Sequence, residues 1–272
     1  MILALTRRLG LSCLILFLVA VFVFSATEVL PGDALDVYLT ADDLAAMDED
    51  DIEEMRRQFG LDKPAWVRFW DWFSGVLVGD FGTTIIDGED ISEIMWHPLL
   101  NSILLGAVIT AITLPVAFAI GTITGYKRGS RSDTVVSTVT IIGYSIPDFV
   151  TGNLLIIIFA VWLPVFPAVI LAFSSSSVFE LLSVSLLPAL AVIFGHVAHQ
   201  SRLLRAGFIE TMNSEFIERA RLSGIPEKRV VFRHALPASV IPMLNSLALY
   251  VAGLLAGLVI VEKVFGYPGL GR

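Results

Sequence analysis

RLLRAGFIETMNSEFIERARLSGIPEKRVVFRHALPASVIPMLNSLAL, residues Arg202 to Leu249, is a charged, helix-patterned island between two apolar segments of membrane-spanning length. Phe208, Met212, Phe216 and Ala220 recur every four residues, a spacing that predicts one apolar stripe along one helix. Glu210, Glu215, Glu218, Arg219 and Arg221 fall largely off that stripe, so the helix is amphipathic. Gly224 suits a left-handed turn at the helix end. Ile225-Pro226 then blocks simple continuation, because the residue before a proline is pushed out of the helical region. A second short helix starting at Pro226 takes in Glu227, Lys228 and Arg229. Two short helices joined at a glycine suit docking into a cleft on another protein. A solvated loop with ordinary caps is the plainer alternative for a run of charges.

Outward from this island the chain is a membrane protein. Of 272 residues, 56% are hydrophobic and only 16% charged, against about 25% charged in an ordinary soluble domain. The net charge of −8 is local in origin, since 11 of the 26 carboxylates lie between Glu28 and Glu54. The single cysteine, Cys13, sits in an apolar run and excludes an internal disulfide. Arg7 and Arg8 precede the charge-free run Leu9–Thr27, about 28 Å of helix against a hydrocarbon core of about 30 Å. A cleaved signal peptide has a shorter apolar region and small residues before the cut. Phe24 stands where one of those small residues belongs, so an uncleaved anchor is expected.

Residues 28–98 form a polar segment expected outside. Thr40 or Asp42 can cap an acidic helix running through Arg57, with Leu44, Met47, Ile52 and Met55 as its apolar positions. Trp66, Phe69, Trp70, Trp72 and Phe73 form an aromatic cluster, read as a helix at the membrane interface rather than a ligand-binding face. The second span, Pro98–Tyr126, holds no charge in 29 residues. Its small residues, among them Gly106, Gly121 and Gly125, suit close helix packing. The third runs from about Thr134 to Leu163 and is broken at Gly143–Phe149. There Pro147 removes a helix hydrogen bond and Asp148 places a carboxyl at membrane depth, a pathway candidate. The apolar residues 165–173 and the Ser174–Ser177 tract connect to the fourth span, Leu181 to about Ser201. In it His196 and His199 share a face without the further ligands a metal site needs. The fifth runs from Leu236 to about Val261, and Gly253 and Gly257, four apart, are expected to admit another helix.

Five spans with the amino end inside gather 12 of the 18 basic residues on inner segments, as the positive-inside rule requires. That orientation puts residues 202–236 in the cytoplasm.

Within the opening stretch, Glu218-Arg219-Ala220 is followed after three residues by Gly224, and nine residues later by His234-Ala235-Leu236-Pro237. This order resembles the E-A-A, Gly, I-x-L-P pattern in the cytoplasmic loop of ABC importer permeases. Leu30-Pro31-Gly32-Asp33, the Gly60-Leu61-Asp62-Lys63-Pro64 to Gly79-Asp80-Phe81-Gly82 run, Ser145-Ile146-Pro147-Asp148-Phe149 and Glu262 through Gly271 (E-x-x-F-x-x-P-G-L-G) extend the likeness to the peptide-type branch, whose members carry dipeptides, oligopeptides or nickel. Arg219 stands where the general pattern has Ala and His234 where it has Ile, departures read as marks of that branch. The resemblance covers essentially the whole chain.

What the resemblance implies is an all-α polytopic membrane protein with the transmembrane fold of type I ABC importers, five spans present and a sixth expected beyond Arg272. Residues 1–98 then hold an anchor helix at about 9–29 and an external segment, and residues 99–272 the permease domain. It implies a plasma (inner) membrane location, a homologous second permease subunit, two cytoplasmic ATPase subunits, an external solute-binding protein and no nucleic acid. Glu218, Arg219, Ala220, Gly224, His234, Leu236 and Pro237 are the implied ATPase-coupling residues. The chain has no Walker A sequence, so ATP-Mg is expected on the partner subunits and no cofactor on this one. Two other classes stay open. An ATPase-independent secondary transporter or channel would use Asp148 as its coupling carboxylate, and an intramembrane enzyme would need His196, His199 and Asp148.

Overall fold

The computed structural model describes residues 2–29, 53–54, 56–57, 60–84, 88–170 and 177–272. The Leu30–Asp33 motif, the apolar positions of the expected acidic helix (Leu44, Met47, Ile52 and Met55) and Ser174–Ser176 fall outside them. The described residues are helical throughout, apart from loops and one isolated bridge between Thr83 and Asp90. The chain divides into two compact units, Met1–Ile94 and Met95–Arg272.

In the first unit, α1 (Ile2–Val29) is apolar around most of its circumference, as a helix surrounded by lipid must be. α2 (Ala65–Val78) begins after Pro64 and ends where Gly79 turns left-handed at φ +87°. Asp80 Oδ1 accepts from the Gly82 N–H at 2.9 Å and tightens the following turn. The aromatic cluster sorts by type. Phe69 packs edge-on against Phe17 and Phe24 of α1, with ring centroids 6.2 and 5.3 Å apart, and Phe73 lies 5.3 Å from Phe17. Trp66, Trp70 and Trp72 stay exposed, which fits an amphipathic helix at a membrane interface. Arg68 pairs with Glu28 at the end of α1.

The second unit holds most of α3 (Ile91–Tyr126), then α4 (Arg131–Ser145) and α5 (Asp148–Ile156), which continues as a π-helical turn over Ile157–Trp162. Next come α6 (Val178–Val184), α7 (Leu186–Met212), α8 (Glu215–Leu222) and α9 (Glu227–Phe265). Among the described residues three helices, α1, α3 and α9, are long and apolar enough to cross a membrane, and the count reaches five if each bent pair is one span. α7 is central, packing against α4, α5 and α9. The core joins Leu105 and Ile109 of α3, Ala191 and Val192 of α7, and Leu254, Leu258 and Phe265 of α9.

Several expected boundaries move. The third span is bent by 96° between α4 and α5, because Ile146 is extended ahead of Pro147 and the helix restarts at Asp148. The fourth does not stop near Ser201. Its helix runs on to Met212 and so carries Arg202 and Arg205 on the same rod as His196 and His199. The helix from Glu227 is not a separate short piece but the first turn of α9, joined to the fifth span through a π-helical turn at Val230–Ala235.

Close approach occurs at Gly121 and Gly125. A methyl group on either would lie 2.7 Å from the Ser201 carbonyl oxygen or 2.8 Å from the Phe208 ring. A methyl group on Gly253 or Gly257 would meet nothing within 4 Å among the described residues beyond its own stretch of helix, so the expected intimate contact there is not made by the described residues.

Candidate coupling loop and intramembrane cavity

The apolar stripe expected along one helix is broken. α7 ends at Met212, Asn213 leaves the helix, and Ser214 is extended as the cap of α8. The restart changes the phase, so Ile217 points inward and is fully buried while Phe216 is 46% exposed. Ile217 joins Phe208, Val230, Val231, Ala235 and Leu236 in a small core of their own, flanked by Met212, Ala220 and Ile225. This local core folds the segment into a knuckle of its own. Its outer surface keeps Phe216, Leu222 and Phe232 uncovered, the last two at 81% and 67% exposure.

Gly224 ends α8 with φ +74°. Its N–H donates to the Arg221 carbonyl at 2.9 Å, and the Ile225 N–H reaches the Ala220 carbonyl at 3.2 Å. Arg221 donates two bonds, at 3.1 and 2.7 Å, to the Glu227 carboxylate at the start of α9. That hydrogen-bonded carboxylate holds the Arg221 guanidinium pKa above its usual value. Glu218 is exposed and makes no side-chain hydrogen bond among the described residues, so Arg221–Glu227 joins the two helices. Arg219 reaches Glu215 at 3.1 Å on an open surface, where such a pair contributes little. His234 is half-buried on the π-helical turn, Leu236 is buried and Pro237 exposed.

Asp148 is distant in sequence from these residues and lines a cavity of about 460 Å³ with Tyr144, His196, His199, Ser246 and Tyr250. The structure thus brings Asp148 and both histidines together. No group of three or more His, Cys, Asp or Glu able to hold a metal occurs among the described residues.

Two long-range clasps went unread in the sequence. Asp133 accepts two bonds from Arg205, at 2.9 and 2.8 Å, and others from the Gly129 N–H and Ser137 Oγ. The local half of this was visible, since Ser130 caps α4 by accepting from the Asp133 N–H, three residues on as in a capping box. The Arg205 half lies 72 residues away. Asp133→Ala strands a half-buried guanidinium, and a loss of about 1–3 kcal/mol is expected. A lowered thermal unfolding midpoint of the purified complex would register it, and an unchanged midpoint would count against the clasp. The second clasp joins Glu262 of α9, fully buried, to Ser102 of α3 at 2.6 Å and to the Gly271 N–H at 2.7 Å.

The family model for the binding-protein-dependent transport system inner membrane component matches residues 117–272, and the model for the N-terminal part of such membrane components matches residues 1–87. The chain belongs to this family. This inner membrane component is accordingly a multi-pass membrane protein with the transmembrane fold of type I ABC importers. Similar proteins include the dipeptide transport system permease protein DppB of Lactococcus lactis subsp. cremoris (strain MG1363), 30% identical across 97% of this chain and 83% of its own length. The oligopeptide transport system permease protein AppB of Bacillus subtilis (strain 168) is 29% identical across 98% of this chain and 84% of its own. The glutathione transport system permease protein GsiC of Salmonella choleraesuis (strain SC-B67) is 35% identical across 98% and 83%. These relatives are transport subunits by name, and the knuckle, the cavity and the Asp133–Arg205 clasp lie within the span matched by the larger family model, while Ser102 of the second clasp precedes it.

Proposed function

We propose that this permease lines the translocation pathway of an ATP-driven importer of short peptides and is moved by separate ATPase subunits that grip its 202–236 segment. The observation that carries the proposal is the knuckle: α8 and the π-helical turn of α9 fold over a private core and leave Phe216, Leu222 and Phe232 exposed. Exposed apolar side chains of that size on a charged segment mark a surface that another protein covers. Glu218, Arg219 and Ala220 then sit on the gripped helix, Gly224 sets its exit, and His234, Leu236 and Pro237 lie within α9 at and just after its π-helical turn. Because α9 runs from Glu227 to Phe265 as one helix, a shift imposed at α8 passes into the membrane core without a flexible link. A homologous second permease completes the pathway, an external binding protein delivers the solute, and nucleotide stays on the ATPases. The amino end and the knuckle face the cytoplasm. Asp148 lines the path.

Reconstitution separates this mechanism from ion-coupled transport. In proteoliposomes holding the full complex, labelled peptide is expected to enter only when ATP is on the ATPase side and binding protein on the other. Uptake driven by a proton or sodium gradient without ATPase subunits would overturn the proposal.

A further inference from the structure

The cavity at Asp148 does not stand alone. A second cavity of about 620 Å³, bordered by Ser137, Arg202 and Arg205, shares Tyr144 and His199 with it. The two therefore adjoin at the stacked Tyr144–His199 pair beside α7, and their far ends carry opposite charge.

At one end, Asp148 Oδ1 lies against Gly195 of α7, 3.3 Å from where a methyl group would stand. Its carboxylate has no hydrogen bond or ion pair with any described residue. The facing imidazole of His196 is turned so that Nδ1–H donates to the Val192 carbonyl at 3.0 Å. Tyr250, only 7% exposed, borders the same cavity with its hydroxyl unpartnered. At the other end, Arg205 is occupied by Asp133, while Arg202 is exposed and has no acidic partner among the described residues. Between the ends the walls are aromatic. His199 stacks on Tyr144 with centroids 5.6 Å apart, and His196 meets Tyr250 edge-on at 5.3 Å.

The unpaired buried hydroxyl is costly as it stands, the half-buried Asp148 carboxylate lacks a hydrogen-bond donor, and the exposed Arg202 guanidinium is left open to an anion. One ligand with a cationic head and an anionic tail satisfies the two charges together. Seven helical positions separate Gly195 from Arg202, about 10 Å along the axis at 1.5 Å per residue. An extended peptide advances about 3.4 Å per residue, so three residues cover that distance. The aromatic walls suit an ammonium as well, through attraction to their ring faces.

We propose that these two cavities form one lane that holds a zwitterionic peptide of about two to four residues in transit, its ammonium against Asp148 and its carboxylate against Arg202. The proposal rests on the permease carrying peptides, yet it concerns which chemical groups the membrane subunit itself recognises.

The test reads occupancy rather than uptake. In the reconstituted complex without binding protein, Ser246→Cys in a Cys13→Ser background places a thiol in the wall beside Asp148. Its modification by a methanethiosulfonate reagent is followed by mass spectrometry of that segment. Trialanine is expected to slow modification at about tenfold lower concentration than N-acetyl-trialanine or trialanine amide, the scale of one charge-assisted contact. Asp148→Asn is expected to erase the difference from the acetylated peptide only, and Arg202→Gln the difference from the amide only.

Equal protection by all three peptides, no protection by any, or a thiol that never reacts would each overturn the lane. Because transport is not measured, peptide-selective protection in a complex whose uptake ignores ATP would sink the coupling mechanism and leave the lane standing. The converse result separates the two equally well.

Discussion

Gly224→Pro is expected to abolish ATP-dependent uptake by the assembled importer while leaving the subunit inserted in the membrane. Gly224 sits at φ +74°, and a proline ring holds φ near −65°, so the turn cannot be kept. The substitution also deletes the N–H that donates to the Arg221 carbonyl at 2.9 Å. With the turn lost, Arg221 and Glu227 no longer face each other, and α8 is uncoupled from the start of α9. Gly224→Ala probes the same point more gently, because a left-handed alanine costs about 1–2 kcal/mol but keeps the N–H. The expected order of uptake is wild type, then alanine, then proline, with loss of at least about 100-fold for proline, the equivalent of about 2.7 kcal/mol of coupling. Membrane fractionation checks insertion, and a pull-down of the ATPase subunits checks docking. Normal uptake by the proline variant would remove the knuckle from the mechanism.

Glu262→Leu is expected to be the most destabilising single change in the membrane core, at about 2–4 kcal/mol. The carboxylate is the shared acceptor of Ser102 Oγ and the Gly271 N–H, and Ser102 Oγ in turn accepts from the Leu270 N–H at 2.9 Å. Asn101 Nδ2 adds a bond to the Pro268 carbonyl at 2.8 Å, and Tyr267 Oη one to the Asn101 carbonyl at 3.2 Å. Leucine fills the space but leaves two buried donors unanswered.

The glycines of the same motif permit the approach. A methyl group on Gly269 would lie 2.3 Å from the Glu262 carboxyl group, and one on Gly271 2.5 Å from the Val259 carbonyl oxygen. Gly271→Ala therefore opens the clasp without removing the carboxylate, since the nearest obstructing atom is backbone and cannot swing away. Both variants are expected to lower the thermal unfolding midpoint and to expose the 266–272 segment to protease. If Glu262→Leu unfolds with the wild type, the clasp contributes nothing.

Much of this was legible from residues alone. Long charge-free runs announce helices that cross a bilayer, because no polar group there can find water. Gly224 and Pro226 mark the turn at the knuckle through their own backbone limits, and Pro147 marks the break before α5. Each of these signals is local, carried by a few neighbouring residues. The family pattern in Glu218 to Pro237 is local in the same sense.

Pairings across the chain were not legible. Asp133 meets Arg205 across 72 residues and Ser102 meets Glu262 across 160, and an acid or a serine carries no mark of the partner that folding will bring. The phase of α8 was misread for a related cause: a four-residue period continues through Asn213-Ser214 on paper, while the backbone resets there and buries Ile217 instead of Phe216. Asp148, His196, His199 and Arg202 were visible one by one, but as a lane they exist only after a 96° bend lays α5 against α7. Hydropathy and backbone preference act between neighbours and so survive in linear order. Charge pairing and cavity walls depend on how helices approach in space, which packing alone decides.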